Sequence, residues 1–410
     1  MPIIMGLVGI VTLLGLAWLL SDNKKRINLR TVGTAFALQV AIAALILYVP
    51  HGDTALNAMS NGVENVIAYA NVGIQFLFGP LSERKPGTLV IVIHVLPVIV
   101  FFAALMATLY YLGVMQKVVS ILGGALHKLL KTSRVESMSV VADIFVGHTE
   151  APLVIRPYLA GMTNSELFTV MTAGMATIAG AVMAAYAAMG IDLKYLITAS
   201  FMGAPGAVLM AKILVPETKY QDPKLEDAQY SDSGKPVNVF EAIANGARDG
   251  LMLALNVGAM LLAFVAMIAL LNGMITGVGV WFGLEGLTFE KILGWLLAPL
   301  AFALGVPWNE AVVAGSLIGQ KFVVNEFVAY ISLVNVKAGL SAHTQVIMTF
   351  ALCGFANLSS IAMMLGGIGT LVPERRSDIA RLGLKAVLAG TLSNLMSAAL
   401  AGLFFALHAA

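Results

Sequence analysis

The run Gly319-Gln-Lys-Phe-Val-Val-Asn-Glu-Phe-Val-Ala-Tyr330 sets Lys321, Asn325 and Glu326 close together in sequence otherwise apolar enough for a bilayer. Holding an ionised group such as Glu326 in a membrane segment costs about 2.5 to 3.5 kcal/mol on insertion scales, so its presence points to a polar ligand or ion that it meets there. The bland alternative is a structural ion pair between Glu326 and Lys321. A second polar group runs from Asp143 to Glu150 and includes His148 and Thr149. Asp143 reads either as a ligand for an ion or as a buried acceptor that holds its own segment. His148 reads either as a ligand contact or as a satisfied core histidine, its tautomer and charge set by its surroundings.

Composition decides what kind of element must carry these groups. The chain has 410 residues, 59% of them hydrophobic and only 11% charged, with a mean hydropathy of +0.89. These values define an all-α membrane protein with many spans. A net charge of +2 is too small and scattered for a nucleic-acid surface, so no nucleic-acid partner is expected. Cys353 is the single cysteine, which excludes an intramolecular disulfide framework and a multi-cysteine metal site.

Crossing about 30 Å of hydrocarbon takes roughly 20 residues. Segments of that length lie near 2–20, 32–50, 88–113, 165–190, 194–215, 249–272, 344–371 and 380–407, giving eight expected spans. The first lacks a positive region before it and runs past signal-peptide length, so it reads as a retained span. Two further apolar stretches, 134–161 and 307–335, are broken by charged groups and by Pro152 and Pro157. They suit re-entrant helical hairpins, whose irregular tips are tolerated where they are buried in protein or line a wet cavity. Amphipathic pieces near 54–80, 115–130 and 274–290 are expected along the membrane surface, in contact with lipid; in the second, Val118, Val119, Ile121 and Leu122 oppose Lys117, His127 and Lys128.

Five regions follow: spans 1–3 with interfacial helices over 1–133, a first repeat over 134–216, a polar linker over 217–248, a sixth span with an interfacial helix over 249–306, and a second repeat over 307–410. The repeats carry weak internal similarity. Thr149-Glu150 at one break is followed by Thr177-Ile178-Ala179 in the next span, and Asn325-Glu326 at the other by Ser360-Ile361-Ala362. Inverted repeats with interrupted helices are the expected mark of a secondary transporter, whose half-helix ends present backbone groups to a ligand or cation. Lys24, Lys25, Arg26 and Arg30, then Lys128, Lys131 and Arg134, then Arg375, Arg376 and Arg381 fall on one side of an eight-span arrangement. The positive-inside rule makes that side cytoplasmic and sets both termini outside it.

The twelve residues Gly319 to Tyr330 resemble the signature of the concentrative nucleoside transporters. Gly147-His-Thr-Glu-Ala-Pro152 and Gly354-Phe-Ala-Asn-Leu-Ser-Ser-Ile361 resemble that family's two other substrate-contacting segments, and the likeness extends over essentially the whole chain. The resemblance implies a homotrimeric symporter of the bacterial cytoplasmic (inner) membrane, importing nucleosides such as uridine on a Na⁺ or H⁺ gradient. It implies that Glu326, Asn357 and Ser360 meet the ribose, that His148, Thr149 and Glu150 face the base, and that Phe355 and Val182 form apolar walls. A carboxylate suits the ribose hydroxyls, because charge-assisted hydrogen bonds are the strong ones.

In that family the sodium site uses an asparagine side chain, a hydroxyl on the following span and backbone carbonyls; the matching positions here are Asp143, Thr177, Val146 and Ile178. Aspartate for asparagine leaves two couplings open. A carboxylate is a good hard-oxygen ligand for Na⁺, the first choice, while a buried carboxyl can instead carry H⁺. His148 stands where the family usually has glutamine, and the segment around 80–90 is shorter than in relatives. An enzyme is not expected, since there is no His-Glu-x-x-His helix and no Gly-x-Ser-x-Gly elbow. An ion channel or a symporter for another polar metabolite remains the alternative, since buried acids and broken helices also build selectivity filters.

Overall fold

The structure, a computed structural model, describes residues 2–48, 50–83, 90–218, 236–284 and 286–408. Most of the expected linker, and the shortened segment around 80–90 over 84–89, lie outside the described residues. Among the described residues the chain is helical throughout, with no strand.

The first third contains α1 (Pro2–Leu19), α2 (Leu29–Leu47), α3 (Pro50–Phe78), α4 (Ile91–His94), α5 (Leu96–Tyr111) and α6 (Val114–Leu130). The middle runs through α7 (Arg134–Ala142), a tight 3-10 segment Ala151–Gly161, α8 (Asn164–Ala176), α9 (Gly180–Ala188) and α10 (Leu193–Leu214). The rest comprises α11 (Val239–Trp281), α12 (Phe289–Ala303), α13 (Trp308–Val323), α14 (Glu326–Val336), α15 (Ala342–Leu352), α16 (Ser360–Gly366), α17 (Ile368–Leu371) and α18 (Arg376–His408).

Among the described residues six segments are long and apolar enough to cross a membrane: 29–47, 91–111, 164–188, 193–214, 239–281 and 373–408. They coincide with six of the eight expected spans. The other two expected spans are the shorter apolar helix 3–19 and the stretch 342–371, which is interrupted at residues 353–359. Burial divides the helices by role. The helices α8, α9 and α10 are buried along almost their whole length, whereas α11 exposes Leu255, Leu262, Val265 and Leu270, as a helix facing lipid does. Packing pairs α11 with α5, α12 with α13, and α10 with α2, while α18 packs on α1, α8, α10 and α15.

The expected interfacial piece 274–290 needs correction. Residues 274–281 are the last turns of α11, and a separate helix, α12, begins only at Phe289. Asn272, a polar residue at the expected span end, does not stop the helix because the start of α12 satisfies it. Its Nδ2 donates to both oxygens of Glu290 (3.2 and 3.0 Å) and its Oδ1 accepts from the Phe289 N–H at 2.7 Å. Gly283, at φ +71°, turns the chain between the two. In α6 Val119 packs inward and is buried, while Ile121 is 70% exposed on the opposite side.

Capping explains where the middle helices start. Ser133 with Glu136 and Thr163 with Glu166 each form a complete capping box, at the N-termini of α7 and α8. Buried Lys212 joins them, its Nζ donating to Glu136 Oε2 at 2.8 Å and Ser165 Oγ at 3.1 Å. Glu310, in the first turn of α13, accepts from the N–H and Oγ of Ser341, so it ties α13 to the start of α15.

Candidate functional site

Four interruptions bring the polar groups into the core. They fall after α7, between α8 and α9, between α13 and α14, and between α15 and α16. At the third, Asn325 is the N-cap of α14, its side chain accepting from the Val328 N–H at 2.9 Å. Glu326 is therefore the first residue of that helix, where the free N–H groups favour an anion.

Glu326 is buried, and both its oxygens have neutral partners. Tyr186 Oη donates to Oε1 at 3.0 Å and Asn357 Nδ2 to Oε2 at 3.1 Å. The Asn357 carbonyl in turn accepts from Ser359 Oγ (2.6 Å), Ser360 N (3.0 Å) and Ser360 Oγ (3.0 Å). Ser360 Oγ also donates to the Phe355 carbonyl. Glu326, Asn357 and Ser360, chosen from the sequence, thus share one hydrogen-bonded network. Tyr186, which sequence reading missed, belongs to the same network. Its only sequence signal is a hydroxyl-bearing ring within an alanine-rich run. It also packs on Tyr330, the ring centroids 4.4 Å apart. Glu326 and Lys321 are near enough to interact electrostatically, but Lys321 makes its hydrogen bonds elsewhere, to Ala351 O at 2.9 Å and Asn394 Oδ1 at 2.5 Å.

The first polar group lies across the same core. The rings of His148 and Phe355 meet edge to face with centroids 5.0 Å apart. Among the described residues neither His148 nitrogen has a hydrogen-bond partner, although the residue is buried. Thr149 is exposed and packs near Gly367, while Val182 is buried on α9. Glu150 looks elsewhere. With Asp249 of α11 it lines a cavity of about 360 Å³ between α5, α6 and α11 on one side and residues 145–154 and α9 on the other, and Glu326 is not among the lining residues.

Asp143 is the C-cap of α7 and 1% exposed, with no hydrogen-bond partner for either carboxylate oxygen among the described residues. Leaving both oxygens buried and unpaired is costly if the group is ionised, so a proton or a cation suits the site. Thr177 caps the end of α8 and Ile178 follows it in the break, both buried. The strand of chain carrying Val146 is held against that break by the bond from Gly180 N to Phe145 O, 3.0 Å long. A carboxylate, a hydroxyl and carbonyls at helix breaks are hard-oxygen donors, the kind that suits Na⁺. Thr177 Oγ1 donates to Ala173 O at 2.9 Å, leaving its lone pairs available. A second tie joins the two broken spans, from Phe355 N to Thr177 O at 3.2 Å.

Apolar spans surrounding buried acids and a lysine at helix interruptions define a membrane transporter. Comparison with known proteins makes the class particular. The family described as "Na+ dependent nucleoside transporter C-terminus" matches residues 195–402, its N-terminal counterpart matches residues 8–81, and the "Nucleoside recognition" gate family matches residues 92–192. The nucleoside permease NupC of Helicobacter pylori is 52% identical over 98% of both chains. Sodium/nucleoside cotransporter 1 of rabbit (Oryctolagus cuniculus) is 37% identical over 94% of this chain and 60% of its own length. The solved structure of CNTnw in an inward-facing substrate-bound state superposes with a TM-score of 0.95 at 54% identity, covering 100% of this chain and 99% of the other. A doubly substituted CNTnw in an outward-facing state superposes with a TM-score of 0.97. The chain belongs to the Na⁺ dependent nucleoside transporter family.

Proposed function

We propose that this protein is a symporter that imports nucleosides across the bacterial cytoplasmic membrane, driven by Na⁺ and working as a homotrimer with both termini outside the cytoplasm. The observation that carries the nucleoside reading is the Glu326 network. Its carboxylate is held by two neutral donors, Tyr186 and Asn357, rather than by a cation. Each oxygen keeps a lone pair with which to accept a ribose hydroxyl. Asn357 and Ser360 support the same end of the ligand, and the His148–Phe355 pair offers a ring wall for the base. Thr149 and Val182 complete the base side, while Glu150 faces the separate cavity that it shares with Asp249.

Replacing Glu326 by Gln removes the charge and keeps the shape. Uridine binding measured by titration calorimetry is expected to vanish while the variant stays folded and trimeric; full-strength binding would remove the ribose assignment.

The Na⁺ reading is supported by family membership and by the donor set of Asp143, Thr177 and the Val146 and Ile178 carbonyls. When bound, the ion would supply the positive charge that this carboxylate lacks. A specific observation keeps H⁺ as a second reading: a carboxyl with no partner for either oxygen can take up a proton as readily as a cation. Proteoliposomes given an inward Na⁺ gradient at equal pH are expected to accumulate uridine. Accumulation driven solely by a proton gradient would overturn Na⁺ in favour of H⁺.

A further inference from the structure

We propose that the Lys321 ammonium is a built-in cation, occupying the place a second coupling ion would otherwise take where the C-terminal ends of the interrupted helices α8 and α15 converge. The inference rests on the cation-coupled reading above and adds its stoichiometry, one free cation per cycle.

Both helices stop inside the protein, α8 at Ala176 and α15 at Leu352. A helix end leaves its last carbonyls without intrahelical partners and carries roughly half a negative charge. Here Asn394 of α18 joins the two ends, its Nδ2 donating to Ala176 O at 2.7 Å and to Cys353 O at 2.8 Å. Its Oδ1 is thereby left facing Lys321 Nζ at 2.5 Å, and the same nitrogen donates to Ala351 O at 2.9 Å. Lys321 is 2% exposed, and these two acceptors are neutral oxygens. A buried ammonium needs compensation. Two helix C-termini contribute roughly half a negative charge each, and the nearby Glu326 carboxylate adds to that compensation.

The other half of the core is built differently. Asp143 is as deeply buried, and both its oxygens lack partners. Glu326 has the N-terminus of α14 and two donors around it, and the helix ends have Lys321. Among the described residues, Asp143 is the buried acid whose carboxylate oxygens both lack partners, and it is the one left for a mobile cation. Carbonyl and carboxamide oxygens are also hard ligands, so removing the ammonium exposes a site whose chemistry is that of a small monovalent cation.

The test compares wild type with Lys321→Gln, which keeps a hydrogen-bond donor on a side chain one bond shorter and removes the charge. In proteoliposomes the wild type is expected to show a hyperbolic Na⁺ dependence, with a Hill coefficient of about 1, and the variant a sigmoidal one rising toward about 2. A readout independent of transport is the melting temperature in detergent, with NaCl exchanged for choline chloride at constant ionic strength. Na⁺ should stabilise the variant more steeply than the wild type, because ligands bound only to the folded state raise stability by mass action. If the wild type proves H⁺-driven, the variant should gain a Na⁺ requirement that the wild type lacks. Identical Na⁺ responses of both proteins in transport and in melting would overturn the proposal. Should Lys321→Gln fail to fold, Na⁺ or methylammonium must rescue Lys321→Ala during solubilisation, and failure of both cations to do so overturns it equally. A wild type that carries no nucleoside under any gradient would instead sink the transport reading.

Discussion

At the scale of single residues, the groups legible in the sequence are those whose cost in a membrane advertises them. Glu326, Asn357 and Ser360 are conspicuous because each puts polar atoms where lipid-like sequence surrounds it, and the structure brings the three into one network. Tyr186 and Asn394 were not legible. A tyrosine in an apolar run usually means packing, and the partner of its hydroxyl lies 140 positions away. Removing that hydroxyl tests how much it matters. Tyr186→Phe deletes a hydrogen bond to a charged group, worth about 1.5 to 3 kcal/mol, so uridine affinity by calorimetry is expected to fall roughly 10- to 150-fold. An affinity within experimental error of the wild type would show that Tyr186 is only packing. Asp143→Asn tests the ion side. A carboxamide keeps an oxygen ligand but cannot cycle a proton, so Na⁺-driven uptake should persist or sharpen, and any dependence on pH at fixed Na⁺ should flatten. Loss of all coupling would identify the proton as the partner.

The interruptions carry the design at the scale of elements. The breaks within 134–161 and 307–335 are visible in sequence because proline and charge cannot continue an apolar helix. The end of α11 is hidden for the opposite reason: Asn272 looks like a boundary but is satisfied within the protein by the start of α12. Asn272→Leu removes that tie and leaves the Glu290 carboxylate and the Phe289 N–H short of partners, at a cost of about 1 to 3 kcal/mol. A lowered melting temperature with unchanged uridine affinity is the expected result. The break at 353–359 depends on close approach. A Cβ on Gly354 would come within 2.7 Å of Asn394 Nδ2 and 2.8 Å of its Cγ. Gly354→Ala must therefore displace the carboxamide that joins α8 to α15, an overpacking cost of about 1 to 3 kcal/mol. Gly15→Ala, with nothing within 4 Å of the added carbon, is the matched control and should leave melting unchanged.

Across the whole molecule, tight packing and empty space alternate in a way that suggests which parts travel together. The helices α5 and α11 are pressed into one unit. A Cβ on Gly250 would come within 2.6 Å of Ala103 Cβ, and one on Gly246 within 2.6 Å of Ala107 Cβ. Such close packing resists sliding. Across from that unit, residues 145–154 face it over the cavity of about 360 Å³, while α9 packs directly on α5. Alternating access needs one body to move against another, and a void between them allows what packed helices forbid. Met106 of α5 lines that void from the rigid side. Filling it with Met106→Trp should obstruct the movement without touching Glu326, Asn357 or Asp143. Uridine uptake into proteoliposomes is then expected to drop by roughly tenfold or more while equilibrium affinity stays within about twofold, as for a block in a conformational step. Equal losses of affinity and uptake would mean that the cavity belongs to the binding site itself. Uptake at the wild-type rate would mean that the moving boundary lies elsewhere, because a ring that size cannot share the space with a closing interface.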